Sequence, residues 1–455
     1  MSTSLSTTPT IVGAVSKFIH DIDGIKSAEE IACTLLQSLA KKSSKEFSDL
    51  SNEFKVDSEE DSEELTFYVP LEHNKQFRKL RRRQKLTNSA MYQTPRALLV
   101  AMVSSFDAYL GRLLRCIYYL RPERIDASDR TLTFSQLVDL ESLDAAREHV
   151  ISKEIEAFLR KSHVEHFDYL ENLLDMPLRK GLDSWPKFVE ITQRRNLFVH
   201  SDGVISQQYL DVCDKNGVDV GDASIGGRLF LDGDYFRESF ECFYEIGVKL
   251  AHVIWRKLSP DQIETADTAL NSITYELLSI RRYRLAHNLS LFGTLTLKKH
   301  SSALNRRMLL INRAIAAKFG KIETDASPLK LEDWSDCGLP FKLAISVLHD
   351  EFDEACSIMR KIGSQHELVD SHAYGNWPLF TEFRGDERFL KTYKTLFGTE
   401  FNVTDAPEKS ESPGSKNIAL KKAKKTKAKK TKAKKTKAKK TKAKKTKAKK
   451  TKAKK

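Results

Sequence analysis

An all-α fold is predicted by three features of the chain. Apolar residues recur with helical spacing over most of its length, cap and breaker residues stand at the ends of those stretches, and only one glycine-punctuated segment departs from the pattern. The 455 residues suffice for two or three domains. With 40% hydrophobic residues the chain can bury sizeable cores, which excludes wholesale disorder.

From the N-terminus, Ile11 to about Ala40 reads as two short amphipathic helices, and Lys41 to Glu64 as a Ser/Glu/Lys linker. Thr94-Pro95 reads as the N-cap and first residue of a helix running through Phe106 to about Leu120. It is apolar nearly all round and so belongs at the centre of the fold. Further helices are expected at about Phe134 to Leu140, Leu143 to Arg160, Val164 to Leu174 and Ser184 to His200. In the last of these, Ser184 is the cap and Gly203 the left-handed stop. Between 208 and 232, Gly217, Gly221, Gly226 and Gly227 separate Tyr209-Leu-Asp-Val212 from Arg228-Leu-Phe-Leu231, which reads as a small β excursion. A long helix from about Tyr235 to Leu258 ends at Ser259-Pro260.

Beyond Asp261 the chain reads as helices joined by short turns. Tyr275 to Ala286, with a small residue where helices cross closely, resembles the inter-helix turn of a tetratricopeptide repeat. Phe341 to Gly363 resembles a second such pair, and Trp377 to Phe389 the ending of such an array, although no clean 34-residue period can be laid over the region. The expected organisation is therefore an N-terminal helical and linker segment (1–75), a helical bundle (76–258), a helical-repeat domain (261–398), and a disordered linker and basic tail (399–455).

Charge separates the tail from the body. The chain has 76 Lys+Arg, 62 Asp+Glu and a net charge of +14, yet Lys421 to Lys455 alone holds 22 lysines and no acid, in KKAKK followed by six copies of TKAKK. The remaining 54 basic and 62 acidic residues leave the body at −8, which excludes a uniformly basic surface on it. The tail can release counterions from any phosphate backbone but has no aromatic or base-reading side chain, so nucleic acid or another polyanion is its expected partner. It resembles the lysine/alanine tails of linker histones and some bacterial nucleoid proteins.

The six cysteines form no CxxC or Cys/His cluster, so neither a zinc site nor a disulfide framework is signalled. Met1 to Ile11 has no basic segment leading into a long apolar stretch, and the uncharged run Ala97 to Phe106 is only ten residues. The expectation is a soluble cytoplasmic protein with no membrane partner, no cofactor and no metal.

The segment that points to chemistry is Gln193-Arg194-Arg195-Asn196-Leu197-Phe198-Val199-His200, closing a helix. Arg–His spacing alone carries little information, since 27 Arg and 12 His in 455 positions give about two chance pairs at gaps of four to six. Six occur: Arg160/His166, Arg194/His200, Arg195/His200, Arg281/His287, Arg282/His287 and Arg360/His366. What distinguishes the site at His200 is the only Arg-Asn dipeptide in the chain and the helix end immediately after the histidine. With these features, and with the apolar helix carrying Ser104-Ser-Phe-Asp-Ala-Tyr109, the region from about Gln76 to Leu258 resembles the HEPN (higher eukaryotes and prokaryotes nucleotide-binding) family. Its ribonuclease members carry Arg, a polar residue, three further residues and His.

The resemblance implies a helical bundle acting as a metal-independent endoribonuclease. Arg195, Asn196 and His200 are its expected catalytic residues, and Asp107 and Arg194 could support them. It also implies a homodimer with a composite cleft, and in bacteria a toxin or antiviral-defence effector, with an antitoxin or regulatory protein as an expected partner of the repeats.

The chemistry suits these residue types. Histidine can exchange a proton near neutral pH, and arginine can hold a phosphate bidentately. On a helix, Asn196 and His200 lie about 40° apart on one face, whereas Arg195 and His200 lie about 140° apart. The alternatives are a non-catalytic binding protein that uses the repeats and tail on nucleic acid or a protein, and a purely structural repeat scaffold.

Overall fold

In the computed structural model the described residues are 8–54, 68–126, 131–140, 142–324 and 327–402. Among them there are sixteen α-helices and no strand. The first two, α1 (Ile11–Glu53) and α2 (Leu71–Leu120), form a long antiparallel hairpin. Its register is set by ring contacts of Phe54 with His73 and Phe47 with Phe77 at one end, and of Phe18 with Phe106 and Tyr109 at the other.

The first two helices differ from the sequence reading. The N-terminal segment is a single 43-residue helix opened by the Thr10 side chain, which accepts from Gly13 N. The expected linker at Lys41 is therefore helical up to Glu53, while 55–67 lies outside the described residues. Thr94-Pro95 does not start a helix, because Pro95 sits inside α2. Proline costs one helical hydrogen bond there. The upstream half, polar in sequence, is instead held by packing on α1, including Arg83 Nη1 donating to Glu46 Oε2 at 3.2 Å.

Next come α3 (Glu123–Asp126), α4 (Phe134–Asp139), α5 (Leu143–Leu159), α6 (His163–Leu174), α7 (Trp185–His200), α8 (Gln207–Lys215) and α9 (Gly233–Leu258). The helix α8 replaces the first half of the expected β excursion. Ser206 caps it by accepting from Tyr209 N, and Tyr209 and Cys213, one turn apart, pack with Leu197 and Ile205. A four-residue apolar run fits a strand or a helix equally, and burial at i and i+4 decides for the helix. The second half contributes only an isolated antiparallel bridge between Val204 and Arg228.

The core lies where α1, α2, α7 and α9 meet. Phe106 makes ring contacts with Phe18, Phe188 and Phe243. Tyr109 donates its hydroxyl to Gly247 O at 2.6 Å. Gly247 has no room for a side chain, since a Cβ there would lie 2.2 Å from the Phe18 ring.

The chain continues through α10 (Ile263–Ser279), α11 (Tyr283–Leu291), α12 (Ala303–Gly320), α13 (Leu339–Leu348), α14 (Phe352–Ile362), α15 (Ser371–Asn376) and α16 (Glu387–Phe397). Helix α10 packs on α11 and α13 on α14, with Ala286 fully buried. Leu258 and Ser259 at the Pro260 junction are buried, α9 packs on both α10 and α11, and the chain up to Phe397 forms one compact unit. The TKAKK tail, read from sequence as disordered, lies outside the described residues.

Among the described residues, α2 alone is long and apolar enough to cross a membrane, and half of that stretch is buried inside the unit.

Candidate functional site

The motif helix α7 carries Pro186 in its first turn and buries Phe188, Val189, Ile191 and Thr192. Ser184 occupies the cap position, but its hydroxyl turns to Glu245 (3.4 Å) instead of capping the backbone. Packing of Phe188 among Phe106, Phe167 and Phe243 fixes the rotation of α7. That rotation sends Arg195 toward α2 and leaves His200 in solvent.

Arg195 Nη2 donates to Asp107 Oδ2 at 3.1 Å, and its Nη1 donates to Asn196 Oδ1 at 3.0 Å. The other Asp107 oxygen lies 2.8 Å from His163 Nε2, off the line a hydrogen bond requires. His163 opens α6 behind a capping box formed by Ser162 and Glu165. One turn later, His166 packs edge-on to His163 (5.2 Å between ring centroids) and stacks on Phe158 (4.4 Å). Only 1% of His166 is exposed, and no side chain hydrogen-bonds its ring nitrogens. Burial, reinforced by the neighbouring His163, pushes its pKa down to about 4, so it is neutral at physiological pH. Of the Arg160/His166 pair, the arginine is exposed and the histidine buried.

His200 ends α7 exposed and makes no hydrogen bond or ion pair with another described residue. The turn after it is firmly built. Ser201 N and Gly203 N both donate to Leu197 O, and Asp202 and Gly203 adopt positive φ of 48° and 81°. Buried Arg96 clamps this turn. It donates to Asp202 Oδ1 at 2.8 Å and to Leu229 O at 3.2 Å, with its guanidinium over the rings of Tyr92 and Phe198. Arg228 takes the second Asp202 oxygen at 2.8 Å.

Arg194 faces elsewhere. Its Nε donates to buried Glu190 at 2.6 Å, its Nη1 donates to Phe230 O, and its guanidinium lies over Tyr235. Glu190 also accepts from the hydroxyls of Tyr209 and Tyr235, so Arg194 ties α7 to α8 and α9. Of the competing pairs, His287 is buried, with its pKa lowered by burial and then by Arg313, and Arg282 is ion-paired with Asp23.

The structure therefore gathers Asp107, Arg195 and Asn196, holds His200 at the end of the same helix, and directs Arg194 to Glu190. Sequence reasoning passed over His163 and Arg96, and took His166 only as a chance partner of Arg160. The two histidines are signalled by a His-x-x-His that opens a capped helix, and Arg96 by a lone arginine in an apolar stretch.

No family model matches the chain, and no curated protein or solved structure shows significant similarity to it.

Proposed function

We propose that the protein is an endoribonuclease of HEPN type, acting in the cytoplasm as a toxin or antiviral-defence effector. Supporting this reading, Arg195 is anchored on Asp107 while His200, five residues on, is exposed at the end of the same helix, just before a hydrogen-bonded turn. Pointing away from Arg195 on the helix, His200 has open space for a second copy of the chain, and a two-fold pairing of α7 helices would supply two His and two Arg to one cleft.

In the reaction one His200 takes the proton of a ribose 2′-hydroxyl. The 2′-oxygen attacks phosphorus, the P–O5′ bond breaks, and the partner's His200 protonates the leaving 5′-oxygen. Arg195 stabilises the charge gathered on the phosphoryl oxygens. The products are a 2′,3′-cyclic phosphate and a free 5′-hydroxyl. Comparing RNA cleavage and end groups for the wild type and His200→Ala tests the reading.

The alternative is a non-catalytic nucleic-acid-binding protein. It is favoured by the ion pairing of Arg195, which offsets its charge, and by seven cations with no acid between Lys75 and Lys85 on α2. All seven are exposed, a local basic face that the net charge of the body conceals. RNA binding without cleavage by the wild type would select this reading.

A further inference from the structure

We propose that Asp107, His163 and His166 form a binding site for a divalent transition-metal ion of the zinc class. This goes beyond the ribonuclease reading and does not depend on it.

The ligand atoms of the three side chains already lie within 4.8 Å of one another. They come from α2 and from the first turn of α6, where the i, i+3 spacing puts both imidazoles on one face. Both histidines are more than nine-tenths buried. Nε2 of His163 is sealed from solvent without a hydrogen bond, and no side chain hydrogen-bonds the sealed ring nitrogens of His166. Buried polar atoms are almost always satisfied, so one open nitrogen on each imidazole beside a carboxylate points to a shared ion. A histidine acting only as an aromatic filler would account for the stacking on Phe158 but not for a carboxylate 2.8 Å from its neighbour.

The donor set selects the ion. Two imidazoles and one carboxylate match three-ligand zinc sites and exclude magnesium and calcium, which take oxygen ligands. Ligands around a tetrahedral zinc lie about 3.3 Å apart, so the widest gap must close by about 1.5 Å. The Asp107 side chain is 26% exposed, which leaves an entry route and a fourth position for water. Arg195, on the second carboxylate oxygen, orients the ligand in the way outer partners of metal ligands do. Bound metal would in turn fix Asp107, and through it Arg195.

The test uses full-length protein stripped with a chelator and titrated with Co²⁺ and Zn²⁺. The expected result is one Co²⁺ per chain with a visible ligand-field band, its displacement by Zn²⁺, and a melting temperature that rises with Zn²⁺ concentration. His163→Gln, His166→Gln and the isosteric Asp107→Asn should each weaken binding by about 100-fold or more. His200→Ala should bind metal like the wild type whether or not it cleaves RNA, which keeps this proposal separate from the nuclease reading. Absence of a stoichiometric Co²⁺ band in the wild type, or its retention in the folded ligand variants, would overturn the proposal.

Discussion

Asp107 divides its two oxygens between Arg195, at 3.1 Å on one side, and His163, at 2.8 Å on the other. An acid on the apolar face of α2 is costly unless partnered, and this one has partners from two other helices. The motif arginine is consequently held by a residue 88 positions away in sequence.

Removing that anchor should release Arg195. Asp107→Ala is expected to lower RNA cleavage by about 10-fold or more while costing about 1–3 kcal/mol of stability, because the arginine loses its partner. Asp107→Glu, which restores a carboxylate, should recover part of the activity. Cleavage rates and melting curves of the two variants check this, and equal activity in Asp107→Ala and wild type would remove Asp107 as a positioning residue.

Arg96 bridges Asp202 and Leu229 O and stacks between two rings. Arg96→Ala should cost about 1–3 kcal/mol, since it removes the stacking and the bonds that tie Asp202 to Leu229 O. Arg96→Lys should rescue little, because a point ammonium cannot reproduce a planar fork. Hydrogen exchange at Ser201 to Gly203 should accelerate in both variants.

The close approach of α1 to α9 makes another test. Gly247→Ala would place a methyl 2.2 Å from the Phe18 ring, so it should destabilise by about 1–3 kcal/mol through overpacking. Adding Phe18→Leu should restore part of the loss. If Gly247→Ala melts like the wild type, α1 is not part of this core.

Stability should fall on the acid side of neutrality. His252 is fully buried, and burial, then Arg256, lowers its pKa to about 3. It stays neutral in the folded chain, whereas the unfolded chain binds a proton below about pH 6.5, so stability is lost as pH falls from about 6.5 toward 3. Asp267 adds a second loss. Burial pushes its carboxyl up, but bonds from His300, Ser301 and Arg256 outweigh this and hold it well below the usual carboxylate range. Its contribution is present above about pH 4 and lost below it. Denaturant melts at pH 7, 5 and 4 should show the first decline, and His252→Phe should flatten it between pH 6.5 and 4.

Where the sequence was legible and where it was not follows from the range of the forces involved. Helices α5, α6, α7 and α9 were readable to within two or three residues, because apolar period and cap or breaker residues agree locally. The turn at Asp202-Gly203 followed from Gly203, and the joint at Pro260 from its ring. The polar first half of α2 was not readable, because contacts with α1 hold it and its own pattern does not. The β reading of Tyr209 to Val212 failed for a related reason: burial against Leu197 and Ile205 is a tertiary fact. In the candidate site, Arg195, Asn196 and His200 stood out as one dipeptide and a helix end. Arg96, His163 and His166 matter only through contacts made across the fold.

Catalysis by His200 is tested most directly by RNA cleavage with wild type and His200→Ala, with identification of the product ends. The wild type is expected to cut RNA to leave 2′,3′-cyclic phosphates and to spare a substrate whose 2′-hydroxyls are replaced. His200→Ala should fold normally and cut about 10²-fold more slowly or worse. Full cleavage by His200→Ala, or wild-type cleavage of the substrate lacking 2′-hydroxyls, would contradict it.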